Sequence, residues 1–379
     1  MARIAIDATA FDAVSPGSGQ HRYTVDLVRG LSRLATTDTF LLFGSRPDPV
    51  PELADLFAAG GAWQYRQLVP TTGRGAAYRD QLRWAVALRR AHVDLLHALH
   101  TAVPLVSFAP VVATVYDLMY ELFPDYAEAV QSRPYRLYRW SVKRKVERVI
   151  AISETTAADL GRLWGVPRAR IDVVHLGSDL GVVGEPGAAL SALARDSALL
   201  VSPYNLEPRK NLLALLEATA IVRRAVPHVR LVLFGDAAVT PERTAVCERE
   251  IARLGLQPAI VRTGLLSRGE LAWLYARTAV FVFPSLYEGF GLPLLEAMRA
   301  GACVLARSGS AMAEVTGDAG ALVETKEPDA MAQALIALLG DPERRRALGA
   351  RAQHRAATFT VERMAQGTYA SYCRALGRS

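Results

Sequence analysis

Ala279-Val-Phe-Val-Phe-Pro-Ser-Leu-Tyr-Glu-Gly-Phe-Gly-Leu-Pro-Leu-Leu-Glu296 is the stretch that orients the rest of the chain. Residues 279–283 form an unbroken apolar run of strand length. Pro284 ends it, and Gly289 and Gly291 free the following backbone to approach a ligand closely. A helix then starts near Leu292, with Pro293 in its first turn, and stops at Gly301. An apolar strand leading through a loop into a helix is the repeating unit of a covered parallel sheet. Glu288 falls in the loop, and Glu296 falls about one turn inside the helix. A carboxylate can accept two hydrogen bonds from vicinal hydroxyls. Two carboxylates placed this way suit two polyols joined by a phosphate bridge. The competing reading is one capping acid and one surface acid. Glu296 is flanked by Leu294, Leu295, Ala297 and Met298, so its helix reads as buried, and a buried acid needs partners.

The same unit recurs on both sides. Towards the amino terminus, strands are expected at residues 3–8, 40–43, 95–97, 111–115, 148–152 and 171–174. A second series is expected at 198–202, 230–234, 260–262, 279–283 and 303–306, with helices between. Ser267 and Glu270 form a capping-box pattern at one helix start. The pattern loosens into Gly-Val-Val-Gly-Glu-Pro-Gly within residues 181–197, which read as a linker. The last fifty residues are helical in pattern. The chain therefore reads as α/β, with two Rossmann-like doubly wound parallel-sheet domains facing a cleft. Residues 1–180 form the first domain, 181–359 the second, and 360–379 a closing helix that packs back on the first.

The 379 residues are 51% apolar or aromatic and 21% charged, which excludes wholesale disorder. No apolar run approaches the length of about 20 residues needed to span a bilayer. Met1-Ala-Arg-Ile-Ala-Ile-Asp7 reads as a first strand, not as a secretion signal. Three scattered cysteines, Cys247, Cys303 and Cys373, make neither a disulfide framework nor a zinc site, so a reducing cytoplasmic setting is expected. A net charge of +7 suits a phosphorylated small molecule, a lipid surface or nucleic acid.

In open parallel sheets, ligands bind at the carboxyl ends of the strands. Ser15-Pro-Gly-Ser-Gly-Gln20 follows the first strand and leads into a helix, a place suited to phosphate. Gly17 and Gly19 are not followed by the third small residue of the dinucleotide fingerprint. Glu207-Pro-Arg-Lys-Asn211 puts Arg209 and Lys210 at a helix start, where anions are already favoured. Thr114-Val-Tyr-Asp117 ends another strand, so Asp117 either meets substrate or caps the next helical segment. His97-x-x-His100 has no third ligand beside it and does not read as a metal site.

These elements resemble the retaining glycosyltransferases of family 4, which have the two-domain GT-B fold. The resemblance rests on Glu288-x7-Glu296 within Glu-Gly-Phe-Gly-Leu-Pro and on Glu207-Pro-Arg-Lys-Asn211. Ile150-Ala-Ile-Ser-Glu154 and Ile171-Asp-Val-Val-His-Leu-Gly-Ser-Asp179 add to it, in the family's order and spacing. It implies transfer of a hexose from a nucleotide diphosphate sugar to a hydroxyl of a glycan, glycolipid or small molecule, with mannose from GDP-mannose slightly favoured. It implies that the glycine loop with Gly17 and Gly19 lies against the donor diphosphate, which Arg209 and Lys210 neutralise. Glu288 would meet the donor hexose, with Gly289, Phe290, Gly291 and Leu292 lining the same subsite, and Glu296 would hold the ribose. Tyr116 and Asp117 would stand at the reacting centre, but the family usually carries His-Asp there. No Asp-x-Asp occurs in the chain, so neither metal nor other cofactor is expected. A catalytically weak sugar-binding partner subunit and a nucleotide-sugar epimerase are the alternatives. Residues 133–148 hold seven basic residues, one acid and three interleaved aromatics. They read first as a solvated helix with its aromatics on the core, and second as a peripheral membrane contact on the inner face. Nothing resembles a groove-reading motif, so nucleic acid is not expected.

Overall fold

The structure is a computed structural model. It describes residues 1–9, 19–58, 61–69, 71, 76–99, 103–104, 106–179, 183–191, 193, 198–235 and 241–378. The chain divides into two units, Met1–Gly177 with Phe359–Ser379, and Ser178–Thr358. The residues expected to form a linker lie partly outside the described residues.

The first unit holds a seven-stranded sheet. Its strands are β1 (Arg3–Asp7), β2 (Thr39–Gly44), β3 (Trp63–Gln67), β4 (Leu95–Ala98), β5 (Val111–Val115), β6 (Arg148–Ala151) and β7 (Ile171–Val173). They are all parallel, in the order β3-β2-β1-β4-β5-β6-β7. The central strands are buried along their length because Ile, Leu, Val and Ala fill both faces. Helix α1 (Gly19–Ser32) follows β1, α2 (Ala76–Arg90) precedes β4, and α3 (Arg133–Arg144) precedes β6. Ser132 caps α3 by accepting from the Tyr135 N–H.

The second unit holds a six-stranded parallel sheet of the same kind. Its strands are β8 (Leu199–Pro203), β9 (Arg230–Phe234), β10 (Ile260–Gly264), β11 (Val280–Phe283), β12 (Val304–Arg307) and β13 (Ala321–Val323). Their order is β10-β9-β8-β11-β12-β13. Helix α4 (Leu212–Ala225) follows β8, α5 (Arg268–Arg277) precedes β11, and α6 (Leu292–Arg299) follows it. The capping box read from Ser267 and Glu270 is formed in both directions at the start of α5.

The closing helix, α7 (Val361–Ala375), belongs to the first unit. It packs along α1 and approaches β5 and β6. Gly30 makes the close passage possible, since a Cβ there would lie 2.8 Å from the Cβ of Ala365. Polar groups then fix the helix. The Ser371 hydroxyl donates to Asp172 at 2.7 Å, and Arg148 and Arg374 reach the same carboxylate at 2.6 and 2.9 Å.

Strands β3 and β13 have no counterpart in the sequence reading. Both are edge strands, where one side lacks a neighbour. Trp63-Gln-Tyr-Arg-Gln67 is mostly polar, and the apolar Ala321-Leu-Val323 is only three residues long and half-buried, so neither carries the longer apolar run that marks a central strand.

Candidate functional site

In each sheet the strand order reverses at one point, between β1 and β4 in the first unit and between β8 and β11 in the second. The loops leaving the carboxyl ends of two such strands diverge and leave a crevice. In the second unit those loops are the one after β8, with Arg209 and Lys210, and the one after β11, with Glu288.

The β8 loop is built to a narrow geometry. The Asn205 side-chain oxygen accepts from the Glu207 N–H at 2.8 Å, and Pro208–Lys210 makes one tight 3-10 turn. Asn211 adopts φ 59°, a left-handed conformation that asparagine tolerates better than most residues. Its amide donates to the Thr325 carbonyl at 2.7 Å, which holds the turn in place. The Leu286 N–H donates to the Arg209 carbonyl at 2.7 Å and joins the two loops.

The charged groups then converge. The Lys210 ammonium donates to Glu288 Oε1 at 2.6 Å, and Arg209 Nη1 donates to Oε2 at 3.1 Å. Arg209 Nε also donates to Glu207 at 2.7 Å. The three interacting side chains of the cluster are 11–19% exposed. Burial pushes the Glu288 carboxyl upward, but Lys210 and Arg209 outweigh it and hold its pKa below the ordinary value. Glu288 is thus an anion at neutral pH, and both cations are aimed at one point before any ligand arrives.

The backbone after Glu288 is buried through Gly289, Phe290, Gly291 and Leu292. Gly291 takes φ 96°, a conformation strained for any side-chain-bearing residue, and a Cβ there would lie 3.3 Å from the Phe283 ring. Glu296 is 1% exposed on α6, and Ser178 donates to its Oε1 at 3.3 Å. The surface-acid reading of Glu296 is therefore excluded. Arg307, at the end of β12, was not singled out from sequence. It donates to the Leu286 carbonyl at 2.8 Å and steadies the Glu288 loop. Its position at a strand end is the one signal that marked it.

The other expected site residues sit in the first unit. Gly19 is the exposed first residue of α1, whereas Gly17 lies outside the described residues, as does His100. Asp117 accepts from the Met119 N–H at 3.1 Å, one residue ahead of Leu118, the N-cap of the short helix after β5. The Tyr116 ring meets the Tyr23 ring edge-on at 5.4 Å. Its hydroxyl is buried without a hydrogen-bond partner among the described residues, and burial raises its pKa well above the usual tyrosine value. His97 is fully buried. One ring nitrogen meets the Tyr372 hydroxyl at 2.6 Å and the other meets Thr114 at 2.8 Å, which makes it a structural residue.

Asp7 carries no motif signal in the sequence. It ends β1 at the reversal point of the first sheet and is 1% exposed. Thr9 donates to its Oδ1 from both N–H and hydroxyl, at 2.9 and 2.7 Å. Burial pushes its pKa from 3.8 up to about 6, against the lowering effect of Thr9. A raised carboxyl costs nothing at low pH, and stability is lost as pH rises through the folded value. Asp7→Asn keeps both bonds from Thr9. It is expected to leave stability unchanged near pH ~3 and to raise it by about 2–3 kcal/mol above pH ~7. Urea unfolding at both pH values checks this, and an equal gain at both would show that charge is not the cause.

Comparison with known proteins gives the family and the fold. The family described as glycosyl transferases group 1 matches residues 191–355, and glycosyltransferase family 4 matches residues 17–182. A D-inositol 3-phosphate glycosyltransferase from Kribbella flavida is 30% identical over 313 residues, 79% of this chain and 68% of that protein. The O-antigen chain mannosyltransferase B of Escherichia coli is 26% identical over 374 residues, 94% of this chain and 96% of that one. A D-inositol 3-phosphate glycosyltransferase from Segniliparus rotundus is 31% identical over 61% of this chain, but the match spans only 53% of that relative's length. Among solved structures, Anabaena HepE in complex with UDP and glucose superposes with a TM-score of 0.76 at 18% identity, covering 98% of this chain and 99% of that one. Likeness at that identity establishes the GT-B fold and no more.

Proposed function

We propose, from the premise that the chain belongs to the group 1, family 4 glycosyltransferases, that it transfers a hexose from a nucleotide diphosphate sugar to a hydroxyl with retained configuration. Mannose from GDP-mannose is the favoured donor, on the similarity to the O-antigen chain mannosyltransferase over nearly the whole chain. The acceptor is a hydroxyl of a glycan, a glycolipid or a small molecule.

The observation that carries the reading is the capture of one carboxylate by Arg209 and Lys210 at the reversal point of the second sheet. In the transfer, the bond from the anomeric carbon to the departing phosphate oxygen breaks. A new bond to the acceptor oxygen forms on the same face, and the acceptor proton passes to the phosphate. Negative charge grows on that phosphate. Arg209 and Lys210 are already oriented, so they stabilise it without reorganisation. They also supply the positive charge that a metal ion would otherwise bring to the diphosphate. Glu288 accepts from hexose hydroxyls while holding the two cations, and Glu296 accepts from the ribose.

The test is thermal stabilisation by GDP, UDP, ADP and their hexose conjugates in the presence of a chelator. GDP and GDP-mannose are expected to stabilise the protein by about 2.7 kcal/mol at a hundredfold excess over Kd. A response to UDP alone would replace the guanine donor. No response to any nucleotide would overturn the enzyme reading in favour of a non-catalytic partner subunit.

A further inference from the structure

The helices α2 and α3 lie on one face of the first sheet. Their inner sides, Trp84 and Leu88 on one and Tyr138 and Val142 on the other, enter a single buried cluster. Their outer sides are unusual for a solvated layer. On α2, Leu82 is 62% exposed and Val86 is 48% exposed, one turn apart. On α3, Leu137 and Trp140 are 44% and 46% exposed, again on one side. Phe108, 69% exposed, lies in the same layer, with the Arg89 guanidinium 5.4 Å above its ring. Single exposed apolar residues need no explanation, but a set on two neighbouring helices does.

The charges sort the same way. In residues 133–148, the inward-turned arginines are consumed by internal pairs, Arg139 with Glu121 at 2.9 Å and Arg148 with Asp172 at 2.6 Å. Arg133, Arg136 and Arg144 are exposed and make no ion pair among the described residues, and α3 contains no acid. Lys145 lies 5.7 Å from the Trp140 ring centroid. The sequence expectation that the aromatics of this stretch face the core holds for buried Tyr138 and half-buried Tyr135. It fails for Trp140.

We propose that this outer layer, α2 and α3 with Phe108, docks the protein on an anionic lipid bilayer. Leucine, valine and tryptophan side chains enter the boundary between headgroups and acyl chains, while the arginines reach lipid phosphates and keep their stems on the apolar surface. Charge complementarity selects the partner, since an unpaired arginine row demands a polyanion. The apolar residues between the arginines select a lipid surface over nucleic acid, which would leave them in water.

The experiment is co-sedimentation of the full chain with vesicles of phosphatidylcholine alone and of phosphatidylcholine mixed equally with phosphatidylglycerol. Binding is expected with the anionic vesicles only, weakening as salt is added. Leu137→Ser with Trp140→Ser is expected to reduce affinity by about tenfold, and Leu82→Ser with Val86→Ser similarly. Arg136→Glu with Arg144→Glu is expected to reduce it by about a hundredfold or more. All six positions are exposed, and unchanged unfolding midpoints confirm that the variants fold. Equal binding to neutral vesicles, no binding to anionic vesicles at low salt, or a loss confined to the arginine variants would each overturn the proposal. Soluble nucleotide binding is read separately, so failure here leaves the glycosyltransferase reading intact and the converse also holds.

Discussion

Lys210→Ala is expected to lower the rate of sugar transfer by about 10²–10³ while leaving the fold intact. The ammonium sits 2.6 Å from Glu288 at the reversal point of the second sheet, where the departing diphosphate is proposed to lie. It is held there by the tight Pro208–Lys210 turn and by Glu288, so its charge is in place before the bond breaks. Removing it takes away stabilisation that grows only as the phosphate leaves. The loss should therefore fall on kcat more than on KM. Lys210→Arg is expected to restore part of the rate, because the charge returns on a bulkier, planar group. Steady-state kinetics with the donor identified by stabilisation checks both variants. A rate within a few-fold of wild type for Lys210→Ala would remove this residue from the chemistry.

The second large effect is expected at Glu288. Glu288→Ala should lower transfer about as much and should also destabilise the free protein. Breaking a buried pair by deleting one partner typically costs about 3–5 kcal/mol. The expected loss here is about 2–3 kcal/mol, because Arg209 keeps its bond to Glu207 and Lys210 can reach water. The depressed pKa of Glu288 means that its ionised form is the stabilising one. Its contribution is complete at neutral pH and is lost only as pH falls below the ordinary carboxylate range. A nucleoside diphosphate brings new negative charge to the two cations. It should consequently stabilise Glu288→Ala more than it stabilises the wild type. Urea unfolding with and without the nucleotide measures this. Equal stabilisation of both proteins would place the diphosphate elsewhere.

Much of this architecture is legible in the chain. Apolar runs of about four to six residues mark central parallel strands, because those strands are buried on both faces and leave little room for polar residues. Chemistry-bearing residues stand out just beyond those runs, as Arg209, Lys210 and Glu288 do, since loops at strand ends are where such sheets meet ligands. The edge strands β3 and β13 escape this logic, whereas β7 and β10, also at edges, are marked by their Ile and Val residues. Trp63–Gln67 needs to satisfy only one neighbour and one covered face, so its sequence looks like a loop.

Packing decided what periodicity could not express. Arg209 and Lys210 are separated from Glu288 by nearly 80 residues, and they meet because β8 and β11 lie side by side although β9 and β10 intervene in the chain. His97 carries two chemically active nitrogens, yet α7 delivers Tyr372 to one of them and makes the residue structural. Tyr138 and Trp140 are two positions apart and equally suited to a core, but one faces the sheet and the other faces out. An apolar pattern records how much of a side chain must leave water, which is a local and additive quantity. The partner a polar group finds depends on which distant strand becomes its neighbour, and that follows from the topology of the whole sheet.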